Sequence, residues 1–175
     1  NKGFSTFAQA LPDGDVELSD GLLSLSRVLM TQIGGSMGPL YGMFFRSMAK
    51  PAVGKERIDA ATFGEMLHAG REGISNVSEA QPGDKTLMDA LVPADDAYQA
   101  ALSAGTDFAG CLAEMSKAAR DGRDATKDMT AKVGRSSRLG ERSRGVVDAG
   151  AASCCLILET FDKALRTAAD STADG

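Results

Sequence analysis

The spacing of the apolar residues constrains this chain most, because they recur at three and four positions almost from end to end. That period lays them along one face of an α-helix, whereas a half-buried strand needs strict alternation. Phe4, Phe7, Ala8 and Leu11 form a first stripe, broken by Pro12-Asp13-Gly14-Asp15. Leu18, Leu22, Leu25, Leu29 and Ile33 form a second, stopped by Gly34-Gly35, and Leu40, Phe44 and Met48 a third, closed by Pro51 and Gly54. Asp59 has the side chain to cap a fourth helix through Phe63, Met66, Leu67, Gly70 and Ile74. After Pro82-Gly83 a fifth carries Leu87, Leu91, Tyr98 and Leu102. Phe108, Leu112 and Met115 mark a sixth, and the pattern runs on past Gly122 towards Met129 and Val133. The last holds Cys154, Leu158, Phe161 and Leu165.

Alternating runs of β-branched or aromatic residues are missing, and aromatics make up 5% of the chain, so a sheet has little to build from. Short connections between consecutive amphipathic helices favour antiparallel neighbours. The expected fold is therefore all-α, an antiparallel bundle or barrel of amphipathic helices, with 20 glycines to let helices come close. At 175 residues and 43% hydrophobic, the chain suits one domain with a proper core. That domain is expected over residues 1–167, followed by a small polar tail over 168–175 that frays.

The same residues exclude several functions. A net charge of −5 argues against a nucleic-acid binder held by overall basic charge. No apolar run reaches the roughly 18–20 residues of a membrane span, and no signal-peptide core is visible, so a cytoplasmic, non-membrane protein is expected. Cys111, Cys154 and Cys155 are odd in number, with two adjacent, which suits a reduced interior rather than a disulfide scaffold. Cys154 and Cys155 read as core residues of the last helix. The single histidine, His68, rules out His-rich zinc sites and reads as structural or surface. Neither G-x-x-x-x-G-K-[ST] nor G-x-G-x-x-G occurs, which removes P-loop and Rossmann folds.

Three segments interrupt the helical pattern with residues a plain connector does not need. In Gly34-Gly35-Ser36-Met37-Gly38-Pro39-Leu40-Tyr41-Gly42, glycines let backbone N–H groups approach a ligand, and Pro39 suits a first helical turn. A helix start with free N–H groups binds anions, although a tight helix–helix turn would use the same glycines. In Gln81-Pro82-Gly83-Asp84-Lys85-Thr86-Leu87-Met88-Asp89, Asp84 or Thr86 can cap the helix that follows. The stretch from Gly134 to Gly150 carries Arg135, Arg138, Arg142 and Arg144 within an acidic chain, and ends where Asp148 can start a helix. Arginine forks onto phosphate oxygens, and a loop of this length can fold over a ligand. Interleaved aromatics that would stack RNA bases are lacking there.

In this order, the three segments resemble the nucleotide-binding subunit of dihydroxyacetone kinase, the DhaL (Dak2-type) family. The first is similar to the family's GG-[ST/A]-S-G-x-L-[YF]-G loop, and Pro82-Gly83-Asp84-Lys85-Thr86-Leu87-Met88-Asp89 through Pro93 to its GDKTMxDxxxP segment. Gly134-Arg135-Ser136-Ser137 through Asp148-Ala149-Gly150-Ala151 is similar to GRASYLGERSxGxxDPGA, and the likeness extends from Asn1 to about Arg166. The resemblance implies a barrel of eight antiparallel helices, about seven of them here, holding ADP or ATP with Mg²⁺. It implies that Ser36 and Met37 lie at the phosphates with Gly35 giving backbone access, and that Ser78 and Leu87 line the nucleotide pocket beside Thr86. Arg135 would contact phosphate, and Asp148, Ala149 and Gly150 would belong to the covering loop.

The implied function is that of the nucleotide-binding subunit of a kinase for dihydroxyacetone or a related short keto-sugar. Its partner would be a dihydroxyacetone-binding (DhaK-like) subunit, and the phosphoryl would come either from ATP that is consumed and exchanged or from a phosphotransferase-system (DhaM-like) protein that rephosphorylates bound ADP, with no catalytic residue required on this chain. Met37 stands where the family usually has serine, Ala149 where it has proline, and Arg138 where it has an aromatic or aliphatic residue. The family's G-D-x-D-H-G-x-N-M metal motif continues into x-x-G-F, which is Asn1-Lys2-Gly3-Phe4 here. Its aspartates are therefore expected upstream of Asn1, and the sequence shown is expected to bind nucleotide poorly alone. Asp13-Gly14-Asp15 copies the D-x-D spacing but reads as an interhelical turn. The alternative is a non-catalytic helical interaction module that has lost nucleotide binding, which Met37 and the missing acids favour.

Overall fold

The computed structural model describes residues 2–11 and 14–173. Regular structure among them is helical throughout, with seven α-helices and two 3₁₀ segments in two compact units. The fold is an all-α helical bundle.

The first unit, Asn1–Glu79, contains α1 (Lys2–Ala10), α2 (Leu18–Gln32), α3 (Met37–Ala52) and α4 (Ala60–Ser75). Helix α3 packs against both α2 and α4. Leu22, Leu25 and Leu29 of α2 meet a core of Phe44, Phe45 and Met48 from α3 and Phe63, Met66, Leu67 and Ile74 from α4, all buried. Burying one such side chain contributes about 1.5–3 kcal/mol, so these stripes are what hold the helices together. Gly70 lets α4 close on α3, since a Cβ there would lie 2.7 Å from the Phe44 ring. Asp59 caps α4 as its position predicts, its carboxylate accepting the Thr62 N–H at 2.7 Å.

The first stripe behaves differently from the others. Phe4 and Leu11 remain 39% and 40% exposed, because α1 packs mainly along α2 and little covers its outer side. Gly3 is buried, and the Phe4 ring meets Phe45 edge-on at 6.0 Å. Pro12 and Asp13 of the expected turn lie outside the described residues.

The second unit, Ala80–Gly175, is built from α5 (Met88–Ser103), α6 (Phe108–Ala125) and α7 (Ala149–Ala173), each packed on the other two. Leu91 and Tyr98, Leu112 and Met115, and Cys154, Cys155 and Leu158 form its core. Pro93 lies inside α5 and has no N–H for the Asp89 carbonyl four residues earlier. Gly122 of α6 rests on that carbonyl so closely that a Cβ there would lie 2.0 Å from the oxygen.

The sixth stripe was expected to continue towards Met129 and Val133, but α6 ends at Ala125. The Thr126 hydroxyl donates to the Arg123 carbonyl at 2.6 Å and accepts the Asp148 N–H at 2.9 Å, which turns the chain. A 3₁₀ turn, Thr126–Asp128, follows, and Met129 is extended. A second 3₁₀ segment, Arg135–Ser143, is broken by Gly140 at φ 51°. Helix α7 continues through Ala173, into the stretch expected to fray, and residues 174–175 lie outside the described ones. No helix among the described residues is long and apolar enough to cross a membrane.

Candidate functional site

Helix α3 starts without a side-chain cap. Ser36 occupies the cap position but its hydroxyl accepts no N–H from the first turn. Gly35 just before it has φ 75°, the left-handed region that favours glycine. Gly38 presses the first turn of α3 onto the end of α2, where a Cβ would lie 2.2 Å from the Ile33 carbonyl oxygen. Gly35 and Ser36 are exposed and Met37 is half-buried. First-turn N–H groups lack helical partners and sit at the positive end of the helix dipole, so this start can receive an anion. Ser78, also of the first unit, lies half-buried beyond the end of α4.

Helix α5 starts in the opposite manner. Thr86 Oγ1 accepts the Met88 N–H at 3.2 Å, and the buried Asp89 carboxylate accepts the Thr86 N–H at 2.6 Å in return. The other Asp89 oxygen takes the Gly83 N–H at 2.5 Å. This is a reciprocal capping box, in which Thr86 plays the capping role its position suggests and Asp89 completes it. Asp84 caps nothing; it accepts the Gln81 N–H at 2.9 Å and faces the Lys132 ammonium at 3.5 Å.

Between these residues sits Lys85, only 4% exposed and at φ 63°. Its Nζ donates to the carbonyls of Met129 at 3.1 Å, Ser143 at 2.5 Å and Val146 at 2.8 Å. These carbonyls flank the arginine-bearing segment on both sides. The same neck is closed by Gly145 N–H to the Lys127 carbonyl at 2.8 Å, Arg144 Nε to the Asp128 carbonyl at 2.9 Å, and Ala131 N–H to Ser143 Oγ at 2.9 Å. Beyond it Arg135, Arg138 and Arg142 are exposed. None of the three donates to an acceptor among the described residues. Residues three apart eclipse in a 3₁₀ helix, which puts Arg135 and Arg138 on one edge.

Helix α7 is capped by Asp148, whose carboxylate accepts the Ala151 N–H at 2.8 Å. Gly150 allows this start to approach that of α5, since a Cβ there would lie 3.2 Å from the Leu87 nitrogen. Thus Thr86 and Leu87 are brought together with Asp148, Ala149 and Gly150, while Arg135 projects on the segment beyond the neck. Asp89 and Lys85 were not singled out by sequence reasoning. The T-x-x-D spacing of Thr86 and Asp89 marks the first.

Among the described residues no group of three or more His, Cys, Asp or Glu could hold a metal ion. The three cysteines are free and buried, and burial pushes each thiol up from its ordinary value, so none is an activated nucleophile. His68 is exposed on α4.

Comparison with known proteins agrees with this architecture. The DAK2 domain family matches residues 1–163. The ADP-binding subunit DhaL of PEP-dependent dihydroxyacetone kinase from Escherichia coli (strain K12) is 31% identical over 95% of this chain and 80% of its own length. The ADP-binding subunit DhaL of PEP-dependent dihydroxyacetone kinase 1 from Listeria innocua is 32% identical over 91% of this chain and 75% of its own. Triokinase/FMN cyclase of Mus musculus is 34% identical over 83% of this chain, which spans 25% of that larger protein. The chain belongs to the DAK2 domain family.

Proposed function

We propose that this chain is the nucleotide-binding subunit of a cytoplasmic kinase for dihydroxyacetone or a related short keto-sugar. The observation that carries the reading is the uncapped, glycine-flanked start of α3, in a family with members named as ADP-binding subunits. The phosphates of ADP or ATP sit against the N–H groups at Gly35, Ser36 and Met37. Arg135 forks onto a phosphate oxygen, and Ser78, Thr86 and Leu87 line the rest of the nucleotide. Asp148, Ala149 and Gly150 cover it. The chain presents the terminal phosphoryl to a sugar held by a partner subunit, with a phosphotransferase-system protein or ATP itself supplying it. Catalysis of this kind is positioning and charge neutralisation, and it asks for no covalent residue here. Mg²⁺, when bound, would supply counter-charge to the phosphates. The described residues form no set that fits it.

Met37 favours a second reading, a helical docking module without nucleotide, because its thioether replaces a hydroxyl donor at the phosphate position. Calorimetric titration of ADP into the protein, with and without Mg²⁺, separates the two. Binding that Arg135→Ala weakens by roughly 1–3 kcal/mol is the expected result, the size of a charge-assisted hydrogen bond. Unchanged affinity removes Arg135 from the site, and no binding with or without Mg²⁺ leaves the docking module.

A further inference from the structure

We infer that Lys85 is a positioning residue, a pin through the neck of the arginine-bearing segment that fixes where Arg135 stands. The inference rests on the reading that Arg135 meets phosphate. A buried ammonium needs compensation for the water it has lost, and a carboxylate is the usual source. No carboxylate among the described residues pairs with Lys85; its three protons go instead to three backbone carbonyls. With every donor engaged, it is not free to contact a ligand itself. The choice of carbonyls is informative: Met129 precedes Arg135, Arg138 and Arg142, whereas Ser143 and Val146 follow them. One buried charge therefore ties together both ends of the segment at three points, beside the Arg144, Gly145 and Ala131 bonds that also cross the neck.

Beyond the neck the anchoring thins out. Ser137 Oγ donates to the Gly134 carbonyl and Thr130 Oγ1 to Glu141, and Gly134 and Gly140 take positive φ values. Arg135, Arg138 and Arg142 are exposed there without partners among the described residues. A fixed neck below a loosely held tip makes the position of Arg135 depend on Lys85. The left-handed backbone at Lys85 fits the same role, since a lysine seldom adopts it unless its surroundings impose it.

The test uses Lys85→Met and Lys85→Arg in the whole protein, with thermal melts to confirm folding. Trypsin reads the segment directly, because Arg135, Arg138 and Arg142 are themselves cleavage points. Lys85→Met should raise cleavage at these three bonds about tenfold over cleavage elsewhere, as opening of the neck becomes more populated. Lys85→Arg should restore part of the protection. ADP affinity supplies the second readout: Lys85→Met should weaken binding, and should add little once Arg135→Ala is present. A merely structural lysine would give additive losses instead. Unchanged cleavage in a folded Lys85→Met, or additive losses, overturns the inference. If wild type binds no ADP, the nucleotide reading fails while the trypsin result still decides whether Lys85 pins the neck. If Lys85→Met does not fold, hydrogen exchange on the wild type decides. The neck amides of Ala131, Gly145 and Asp148 should then exchange far more slowly than those of 135–142, and equal rates overturn the inference.

Discussion

The starts of α3 and α5 are both glycine-bearing turns ahead of a helix, yet they dispose of their backbone donors in opposite ways. At α5 the Gly83, Thr86 and Met88 N–H groups are all taken by Asp89 and Thr86 side chains. At α3 no side chain among the described residues serves the first turn, and packing rather than hydrogen bonding sets the geometry. A glycine-rich turn is thus not one kind of object. What separates an anion-ready helix start from a self-contained one is the count of donors still unclaimed.

The largest effect should come from crowding the packed start. In Gly38→Ala the new Cβ would meet the carbonyl oxygens of Ile33 at 2.2 Å and Leu29 at 2.8 Å, both rigid backbone. A loss of about 3 kcal/mol is expected, the upper end for overpacking. Gly150→Ala meets the Asp148 carboxylate at 2.8 Å, a side chain that can rotate, and should cost less. Thermal melts that rank Gly150→Ala as the worse of the two would break the comparison.

Next comes the loss of the side chain that serves α5. Asp89→Ala leaves the Gly83 and Thr86 N–H groups without their acceptor at a buried site, and about 2 kcal/mol should be lost. The matching change at α3, Ser36→Ala, removes a hydroxyl that caps nothing and should stay within about 0.5 kcal/mol. Urea unfolding of the two variants measures the contrast directly. Equal losses would mean that the α3 start has a cap after all.

Most of the framework is legible in the sequence because it depends on local period. Leu22, Leu25 and Leu29, and Phe63, Met66, Leu67 and Ile74, are buried as their spacing predicts. Asp59 and Asp148 cap helices from the positions where a short acceptor is needed. What escapes the sequence depends on partners far along the chain. The end of α6 is decided by Thr126 reaching the Asp148 N–H, 22 residues on. Lys85 finds its carbonyls 44, 58 and 61 residues away, and no local pattern names them. The exposed first stripe has a related cause, since periodicity reports which face is apolar but not how much of it a neighbour covers.

A smaller effect than the loss of Asp89 tests whether a charged cap behaves as an exposed one. Asp59 holds the start of α4 by accepting the Thr62 N–H at 2.7 Å, and that bond lowers its carboxyl below the ordinary value. Asp59→Ala should cost about 1 kcal/mol at neutral pH. A depressed folded-state pKa means the charge-dependent share of this stability is present above the unfolded value, about 3.9 for aspartate, and is lost as pH falls through the folded one. The gap between wild type and Asp59→Ala should therefore narrow below about pH 4, by a modest amount that salt reduces, because the site is open to water. Asp59→Asn keeps a capping oxygen without the charge, so its stability should follow wild type at neutral pH to within a few tenths of a kcal/mol. Chemical unfolding of the three proteins between about pH 3 and 7 checks this, since that range spans the aspartate titration. A gap between wild type and Asp59→Ala that widens on acidification would show that the carboxylate is not what caps α4.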